Sequence, residues 1–478
     1  MREAKSSSAS LWILMIPLML VLFISSLDQT IVTTALPNIV HSLGNPQDVA
    51  WITTAYLITS SITTLLLGKM GDLFGRKAIL QFSLIVFLIG SLLCGIASSV
   101  FMLSLFRALQ GIGGGGLTAL VMAVIGDLVP PRERSRYQGL TGIVPAVALI
   151  AGPFLGGYIS DNFSWRWVFY INLPVGVIAF ALIATRLRLP RGKTVRSLDW
   201  LGGILVTITT TALLLVLNWG GGSYAWDSAL ILTLSGAAIV GLVLFVLVEH
   251  RAREPITPLS FFKSSIFTIS SLQFFIATVS LFVVMVFVPM YLQNIRMYSG
   301  AQAGSFIIPM MIGIILTSSI SGVRIAKTGR YKYWPVAGSI LMGIAMWMLG
   351  TISPSTSSLW IIAAMLIVGM GQGALIQVAL LAGQNAVPYT HIGTATGALN
   401  FFKGLGGAFG ASIFAGVLTR QLGNKTDPLQ ISHAYGHTFL WVIPFIVVSL
   451  LIGILMREKP LSADMEKVMA GEVEVPEY

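Results

Sequence analysis

Long apolar blocks alternate with short polar connections along almost the whole chain. The first block covers residues 11–36, and most later blocks are also about 20 residues long and mainly apolar. A membrane-spanning helix needs a block of that length, whereas a transmembrane strand gives only weak alternation over about ten residues. The pattern therefore predicts an all-α polytopic membrane protein rather than a β-barrel.

The blocks predict fourteen transmembrane helices, and an even number of spans is consistent with both termini on one side. The predicted helices lie at residues 11–36, 49–68, 78–98, 101–128, 138–159, 166–186, 199–218, 228–249, 266–290, 303–325, 333–351, 358–383, 392–415 and 436–456.

Composition excludes the main soluble classes. Only 10 % of the 478 residues are charged and 55 % are apolar, whereas soluble domains carry about 25 % charged residues. The single cysteine, Cys94, lies within an apolar block, which excludes a disulfide framework. The sequence contains no phosphate-binding loop, metal-ligand motif or nucleophile elbow, so we expect neither an enzyme, nor a metal site, nor a cofactor.

The net charge of +11 is concentrated in alternate connections between the apolar blocks. Because Lys and Arg favour the cytoplasmic side, this bias predicts that both termini are cytoplasmic and that the partner of the basic residues is membrane lipid, not nucleic acid. Short external loops favour a bacterial plasma membrane. The basic connections include residues 2–5, 69–77, 132–136, 186–196, 251–263, 324–332 and 457–459.

Two motifs recur eight predicted helices apart. The second and tenth helices both end in Gly-x6-Gly-Arg, at Gly68–Arg76 and Gly322–Arg330, and the fourth and twelfth carry Gly111–Gly116 and Gly369–Gly373. A six-helix unit followed by two extra helices gives this offset, and two parallel six-helix halves are a known transporter plan. We predict a bundle at 1–190, an inserted helix pair at 191–262, a second bundle at 263–457 and a cytoplasmic tail at 458–478.

Asp28 is the most informative single residue. It lies about 16 positions into the first predicted helix, and no other acid lies so far from a predicted helix end. A charge there costs at least about 2.5–3.5 kcal/mol on insertion scales, so it must face the interior of the bundle. A carboxyl group that takes up and releases a proton is what proton coupling requires, while a structural ion pair is the alternative.

Arg107 is the predicted partner of Asp28. The fourth helix enters from the external side, so Arg107 lies about eight residues, or roughly 12 Å, below that face, at a depth similar to that of Asp28. Two buried charges are tolerable when they pair. A static strut between two helices is the alternative interpretation.

A second group of charges is predicted to form a cytoplasmic gate. Opposite charges at one level can form a network that closes the inside, and Asp72 could face the N-terminus of a helix of the second half. A surface cluster that reflects positive-inside bias is the alternative. The gate residues are Gly68, Asp72, Gly75, Arg76, Lys77, Asp127, Arg134 and Arg136.

The fifth predicted helix carries a proline- and glycine-rich motif. Proline bends a helix and glycine lets helices approach closely, which suits a helix packed tightly against the other half when the outside is shut; plain packing explains the motif equally well. Its residues are Pro145, Gly152, Pro153, Gly156 and Gly157.

Polar and aromatic side chains within the spans are candidates for a substrate cavity. A lone Lys403 near the middle of the thirteenth helix is costly in lipid, which favours a wet cavity around it. Core packing is the alternative for the others. The candidates are Tyr56, Gln110, Gln273, Phe274, Gln372, Gln377, Asn400 and Lys403.

Together these motifs resemble the major facilitator superfamily, and within it the 14-helix drug:proton antiporter branch (the EmrB/QacA-like group). The resemblance covers nearly the whole chain. It rests on Leu27–Pro37, Gly68–Lys77, Arg107-Ala-Leu-Gln110-Gly111, Gly152-Pro153-x-x-Gly156-Gly157, Trp165-Arg166-Trp167, Asn172-Leu-Pro174 and Gly393-Thr-Ala395. Two positions depart from the pattern: Ala148 replaces a glycine, and Lys403 stands where arginine is expected.

The resemblance implies the major facilitator fold, with two six-helix bundles and two inserted helices, and export by alternating access. It implies a monomer that expels small lipophilic compounds in exchange for protons, driven by the proton gradient, with Asp28 and Arg107 in proton coupling. A lipid or metabolite exporter of the same fold remains an alternative, as does dependence on a periplasmic adaptor protein. The second half lacks membrane acids, so neutral, zwitterionic and anionic substrates stay open beside cations.

Overall fold

The structure is a computed structural model of the 478-residue chain. It describes residues 8–43, 50–129, 137, 144–145, 147–148, 151–152, 154–160, 162–187, 199–221, 224–252, 254–388, 391–423 and 427–458.

The described residues are almost entirely helical. Thirteen helices in them are long and apolar enough to cross a membrane, and they match thirteen of the fourteen predicted spans. Most of the remaining one, the fifth, lies outside the described residues, although residues 154–160 are helical. The helices of the first half are α1 (Ser8–Leu43), α2 (Ala50–Phe74), α3 (Arg76–Gly95), α4 (Val100–Leu128), α5 (Trp167–Tyr170) and α6 (Asn172–Arg186).

The remaining helices follow in the order that the apolar blocks predict. They are α7 (Trp200–Trp219), α8 (Ala229–Arg251), a 3-10 helix (Leu259–Lys263), α9 (Ser265–Arg296), α10 (Gly300–Ser305), α11 (Ile307–Thr328), α12 (Tyr333–Gly350), α13 (Ser358–Asn385), α14 (Ile392–Leu422), α15 (Pro428–Leu440) and α16 (Ile443–Leu455).

The helix ends differ from the prediction where local signals outweigh hydropathy. Helix α2 continues to Phe74 rather than residue 68, because the chain turns only at Gly75, whose φ of 97° suits glycine. The last span begins at Pro428 rather than residue 436, because Asp427 caps the helix through Gln430 N and proline is favoured in the first turn. That span also breaks between α15 and α16.

Glycines place α4 and α13 in equivalent positions within the two halves. A Cβ atom on Gly113 would lie 2.4 Å from Phe87 N of α3, and one on Gly115 would lie 2.1 Å from Ser60 O of α2. In the second half, a Cβ on Gly371 would lie 2.9 Å from Gly338 O of α12, and one on Gly373 2.6 Å from Ile314 O of α11. Each glycine-rich helix therefore packs between two neighbours at backbone distance.

The two halves meet where α14 packs along α2. A Cβ on Gly68 would lie 2.8 Å from Gly393 O, and one on Gly397 would lie 2.7 Å from Thr64 O. Further along, a Cβ on Gly404 would lie 3.1 Å from Ser61 Oγ. The contact thus runs from the predicted cytoplasmic end of α2 toward the middle of the membrane.

The inserted pair α7 and α8 is tied to α2 at both ends. At one end Lys69 Nζ, which is buried, lies 3.0 Å from Glu254 Oε2, just after α8. At the other end the rings of Trp51 and Trp219 meet edge to face, with centroids 5.2 Å apart. The proposed division of the chain near residues 190 and 263 remains a prediction.

Candidate functional site

Asp28 and Arg107 form an ion pair inside the first half. Asp28, on α1, is 0 % exposed, and Arg107, on α4, is 1 % exposed. Arg107 Nη1 donates a hydrogen bond to Asp28 Oδ2 at 2.5 Å. The pairing that the matching depths predict is therefore present, and each charge compensates the other away from water.

Three uncharged side chains complete the surroundings of Asp28. Asp28 Oδ1 accepts hydrogen bonds from Gln110 Nε2 at 2.8 Å and from Asn172 Nδ2 at 3.0 Å. Both donors also bond to Ser91 Oγ, at 3.1 and 2.9 Å. We call these five residues, Asp28, Arg107, Gln110, Asn172 and Ser91, the Asp28 network. It joins α1, α3, α4 and α6, so a change at the carboxylate acts on four helices.

Helix α2 covers the remaining side of Arg107. Arg107 Nε donates to Ile52 O at 3.3 Å, and the guanidinium carbon lies 4.2 Å from the centre of the Tyr56 ring. Tyr56 fits there because α4 carries glycine at two positions three residues apart: Cβ atoms on Gly111 and Gly114 would lie 2.6 Å from Tyr56 O and 2.4 Å from its hydroxyl. A cation over an aromatic face is attracted by the ring quadrupole.

Asp72 connects the two halves at the predicted cytoplasmic end. Its Oδ1 accepts a bond from Gly393 N at 3.0 Å, and its Oδ2 accepts bonds from Thr394 N at 2.6 Å and Thr394 Oγ1 at 2.7 Å. Gly393 and Thr394 form the first turn of α14, where unpaired backbone N–H groups and the helix dipole favour an anion. The expected position of Asp72 at a helix N-terminus of the second half is thus found.

Arg76 connects Asp72 to the end of α4. Its Nη2 lies 2.8 Å from Asp72 Oδ1, its Nη1 donates to Ala123 O at 3.1 Å, and Nη1 also pairs with Asp127 Oδ1. We call Asp72, Arg76, Asp127, Gly393 and Thr394 the Asp72 cluster.

The remaining gate residues take different positions. Gly68 allows α14 to approach α2, and Gly75 forms the turn between α2 and α3. Lys77 does not join the Asp72 cluster; its Nζ donates to Ala184 O near the end of α6, at 2.8 Å. Arg134 and Arg136 lie outside the described residues.

The glycines of the fifth predicted helix pack within the first half. Cβ atoms on Gly152 and Gly156 would lie 2.0 Å from Thr30 Oγ1 and 2.1 Å from Thr34 Oγ1, both on α1. These two contacts fit the plain-packing interpretation of the motif, and packing of this helix against the other half stays a prediction. No described atom lies within 4 Å of a Cβ on Gly157; Pro145 is helical, and Pro153 lies outside the described residues.

The proposed cavity residues divide into buried and partly exposed groups. Gln110 belongs to the Asp28 network, and Gln372 Nε2 donates to Ala277 O at 2.7 Å. Gln273 packs toward α16, bonding to Ser449 O at 3.4 Å, and Gln377 accepts a bond from Ser321 Oγ at 3.3 Å. Tyr56 and Phe274 are buried as well. Their part in a cavity stays a prediction.

Asn400 and Lys403 are the partly exposed members of that set. Asn400 Nδ2 donates to Thr396 O one turn earlier in α14, at 2.9 Å. No described residue gives Lys403 a hydrogen bond or an ion pair within the distances typical of such contacts.

Sequence reasoning missed the roles of Ser91 and Asn172 in the Asp28 network. Ser91 is a small hydroxyl inside an apolar block, and such residues are common in membrane helices, so it gave no signal. Asn172 did give a signal, because it is an amide near the start of the sixth span, two residues before Pro174. A buried amide needs hydrogen-bond partners. Its bonds to Asp28 and Ser91 meet that need.

Comparison with known proteins places this chain in a transporter family. Residues 18–411 match the family model described as Major Facilitator Superfamily. The chain therefore belongs to the major facilitator superfamily, whose members are multi-pass membrane transporters and not enzymes, and which use ion gradients without cofactors.

Similar curated proteins carry names of drug exporters. The multidrug transporter protein MdtP of Bacillus subtilis is 39 % identical over 429 residues, which cover 90 % of this chain and 79 % of that protein. Multidrug resistance protein 3 of the same organism is 34 % identical over 427 residues, covering 89 % of this chain and 83 % of that one. Both relatives are consistent with the 14-helix branch that the motifs indicate.

Solved structures confirm the fold. The proton:xylose symporter XylE superposes with a TM-score of 0.66 at 15 % identity, covering 93 % of this chain and 96 % of that one. The human organic anion transporter MFSD10 superposes with a TM-score of 0.63 at 15 % identity, covering 91 % and 99 %. At such low identity the likeness concerns the fold alone.

Proposed function

We propose that this transporter is a proton-coupled multidrug exporter that works by alternating access, with Asp28 as the proton-coupling carboxyl group. Its relatives' names, which include a multidrug transporter and a multidrug resistance protein, support export of drugs. The buried Asp28–Arg107 pair is the observation that carries the proposal. When a buried carboxylate is paired with a single arginine, adding one proton to the carboxylate leaves the arginine charge uncompensated.

Proton binding at Asp28 has a direct structural consequence. Neutralising the carboxyl removes the ion pair with Arg107 and leaves the guanidinium charge facing a neutral acceptor, without a compensating negative charge. The guanidinium then rests on Ile52 O, Gln110 Oε1 and the Tyr56 ring. Two of these three contacts lie on α2, so the protonation state of Asp28 bears on the position of α2.

Helices α2 and α4 connect the Asp28 network with the Asp72 cluster. Helix α2 carries Tyr56 near one end and Asp72 near the other, and α4 carries Arg107 and Asp127, about 20 residues or roughly 30 Å apart. The glycine-mediated packing makes the two helices a rigid pair. A shift of this pair that follows proton uptake moves Asp72 relative to α14 and opens or closes the contact between the halves.

The test uses purified protein in proteoliposomes loaded with a pH-sensitive dye. A proton gradient is imposed, and a panel of lipophilic cations, zwitterions and anions is added one at a time. We expect at least one compound to trigger proton movement in the wild-type protein and none to do so in Asp28→Asn.

A matched acid serves as the control. Asp427 caps α15 in a connection at the opposite end of the fold from the Asp72 cluster, so Asp427→Asn should leave proton movement within about twofold of wild type. Thermal unfolding in detergent checks that Asp28→Asn still folds. Undiminished substrate-triggered proton movement in folded Asp28→Asn refutes Asp28 as the coupling group.

A further inference from the structure

We propose that Lys403 is the binding residue for a carboxylate group on a lipophilic substrate. The inference rests on the proposed export function and specifies the chemistry of its substrates.

Lys403 lies at the middle of the membrane. It is about 11 residues from the start of α14, or roughly 16 Å along the helix. The apolar core of a bilayer is about 30 Å thick, so neither interface is close. A lone ammonium group at this depth is costly, and such residues face a cavity or a partner.

The face of α14 that carries Lys403 points to the interior between the helices. Thr396, Asn400, Lys403 and Gly407 follow one another at spacings of three or four residues, so they share a face. At one end of that face, Thr396 Oγ1 accepts a bond from Gln384 Nε2 of α13 at 2.8 Å. At the other end, a Cβ on Gly407 would lie 2.9 Å from the Phe282 ring of α9.

A different face of α14 packs against the inserted pair and its linker. The rings of Phe402 and Phe262 contact each other with centroids 6.1 Å apart, and Leu405 and Ala408 pack against the cluster that Leu214 of α7 forms with Ile58 and Ile62 of α2. Lys403 therefore lies on the side that α9 and α13 flank, away from the side that α7 covers.

Lys403 is the charge left uncompensated by the described residues in this interior. Asp28 and Arg107 neutralise each other, and both are buried within the first half. Lys403 is partly exposed and has no partner among the described residues. With no acid beside it, the electrostatic complement of this surface is an anion, and a carboxylate matches an ammonium group as a charge-assisted acceptor.

The neighbouring side chains indicate the rest of the ligand. The Phe282 ring of α9 lies against Gly407 on this face, and the Phe275 ring of α9 lies 5.6 Å, between centroids, from the ring of Phe409 of α14. Asn400 adds an amide one turn away. One cation and one amide beside aromatic rings form a surface suited to an aromatic or otherwise lipophilic carboxylate.

Equilibrium binding of two matched fluorescent probes tests the inference. Pyrenebutyrate carries a carboxylate, and pyrenebutyltrimethylammonium carries a cation on the same ring system. Both are titrated into detergent-solubilised full-length protein. We expect Lys403→Met to weaken binding of pyrenebutyrate by about tenfold or more, the loss of one good ionic hydrogen bond. Lys403→Arg should stay within about threefold, and binding of the ammonium probe should be unchanged or tighter in Lys403→Met.

A distant lysine gives the matched control. Lys327 is exposed at the predicted cytoplasmic end of α11, so Lys327→Met should not change the binding of either probe. Wild-type protein that binds no pyrenebutyrate, or binds it as tightly after Lys403→Met, overturns the inference. Equal weakening of both probes in Lys403→Met also overturns it, because that result means a general change of the cavity.

The proton-flux assay separates this inference from the proposed function. If Lys403→Met abolishes carboxylate binding but the ammonium probe still triggers proton movement, both proposals hold. If pyrenebutyrate binding depends on Lys403 while no bound compound moves protons, the anion site stands and proton-coupled export fails.

Discussion

The two halves of this transporter pack their helices in the same way but differ in their charged residues. In both, a glycine-rich helix packs between two neighbours, α4 between α2 and α3, and α13 between α11 and α12. The glycines align Gly111, Gly113 and Gly115 with Gly369, Gly371 and Gly373. At the position of Arg107 the second half then has Met365, which is fully buried in an apolar cluster.

The turns that follow the second and tenth spans differ in the same way. Gly75 and Gly329 both have positive φ, at 97° and 69°. Where the first half has Asp72, the second has Ala326, and Arg76 is buried among carboxylates while Arg330 is exposed. The fold thus requires the glycines in both halves but requires no charge at these positions. The charges of the first half are therefore better explained by transport than by architecture.

Replacing Arg107 by methionine, the residue at the equivalent position of the second half, should have the largest effect. Arg107→Met leaves Asp28 buried without its ionic partner, which costs about 3–5 kcal/mol when one side of a buried pair is removed. We expect lower thermal stability in detergent and no substrate-triggered proton movement.

The double variant Asp28→Asn with Arg107→Met sharpens this test. Removing both charges should restore most of the lost stability, while proton movement stays absent, since uncharged replacements of buried pairs are often neutral for folding. If the double variant recovered proton movement as well as stability, the two charges would have a structural role only. The conclusion that the charges of the first half serve transport would then be wrong.

Asp72→Asn should loosen the contact between the halves by about 1.5–3 kcal/mol, the range for hydrogen bonds to a charged group. Ser61 lies against Gly404 at this contact. The substitution Ser61→Cys, made together with Cys94→Ser so that the protein has one cysteine, reports on how open the contact is. Its labelling by a maleimide should rise by about tenfold in Asp72→Asn. Arg330→Gln, in the corresponding turn of the second half, should leave labelling unchanged.

The two turn glycines should respond differently, because their backbone conformations differ. Gly329 has φ 69° and ψ 0°, in the left-handed region, so Gly329→Ala should cost about 1–2 kcal/mol. Gly75 has φ 97° and ψ 127°, a conformation that glycine adopts far more readily than other residues, so Gly75→Ala should cost more, about 1–3 kcal/mol. Thermal unfolding of the two variants measures the difference, and a larger loss in Gly329→Ala would contradict this order.

Glu458→Gln should have the smallest effect. Glu458 Oε1 accepts bonds from Tyr331 N at 2.6 Å and Lys332 N at 3.1 Å, at the start of α12. A negative charge at a helix N-terminus contributes about 0.3–1 kcal/mol. We expect a slightly lower unfolding temperature and unchanged proton movement, whereas an effect as large as that of Asp72→Asn would make this contact a second gate.

Much of the fold was predictable because a membrane helix leaves a strong signal in the sequence. Thirteen spans lie where hydropathy placed them. The errors are at the ends, as at Phe74 and Pro428, where a glycine turn or a cap decides and hydropathy does not. The split of the last span at residues 440–443 has a signal that hydropathy does not register: Pro444, in the first turn of α16, where proline ends one helix and starts the next.

The candidate site was predictable where a charge had to find a partner. Asp28 and Arg107 could be paired from depth alone, because isolated charges are excluded from lipid. The positions of Gln110 in the Asp28 network and of Gly152 and Gly156 against α1 could not, because uncharged amides and small residues have many acceptable neighbours. Which face of a helix points inward depends on packing, and a single sequence does not record it.

The attachment of the inserted pair has a consequence for protein engineering. Trimming residues 191–262 to obtain a smaller, twelve-helix version would expose the side of α2 that faces α7, and it would separate Lys69 from the segment that presents Glu254. A successful redesign would therefore replace Lys69 and Trp51 with lipid-compatible apolar residues in the same step. The two helices cannot simply be removed, because α2 carries Lys69 and Trp51 on the side that contacts them.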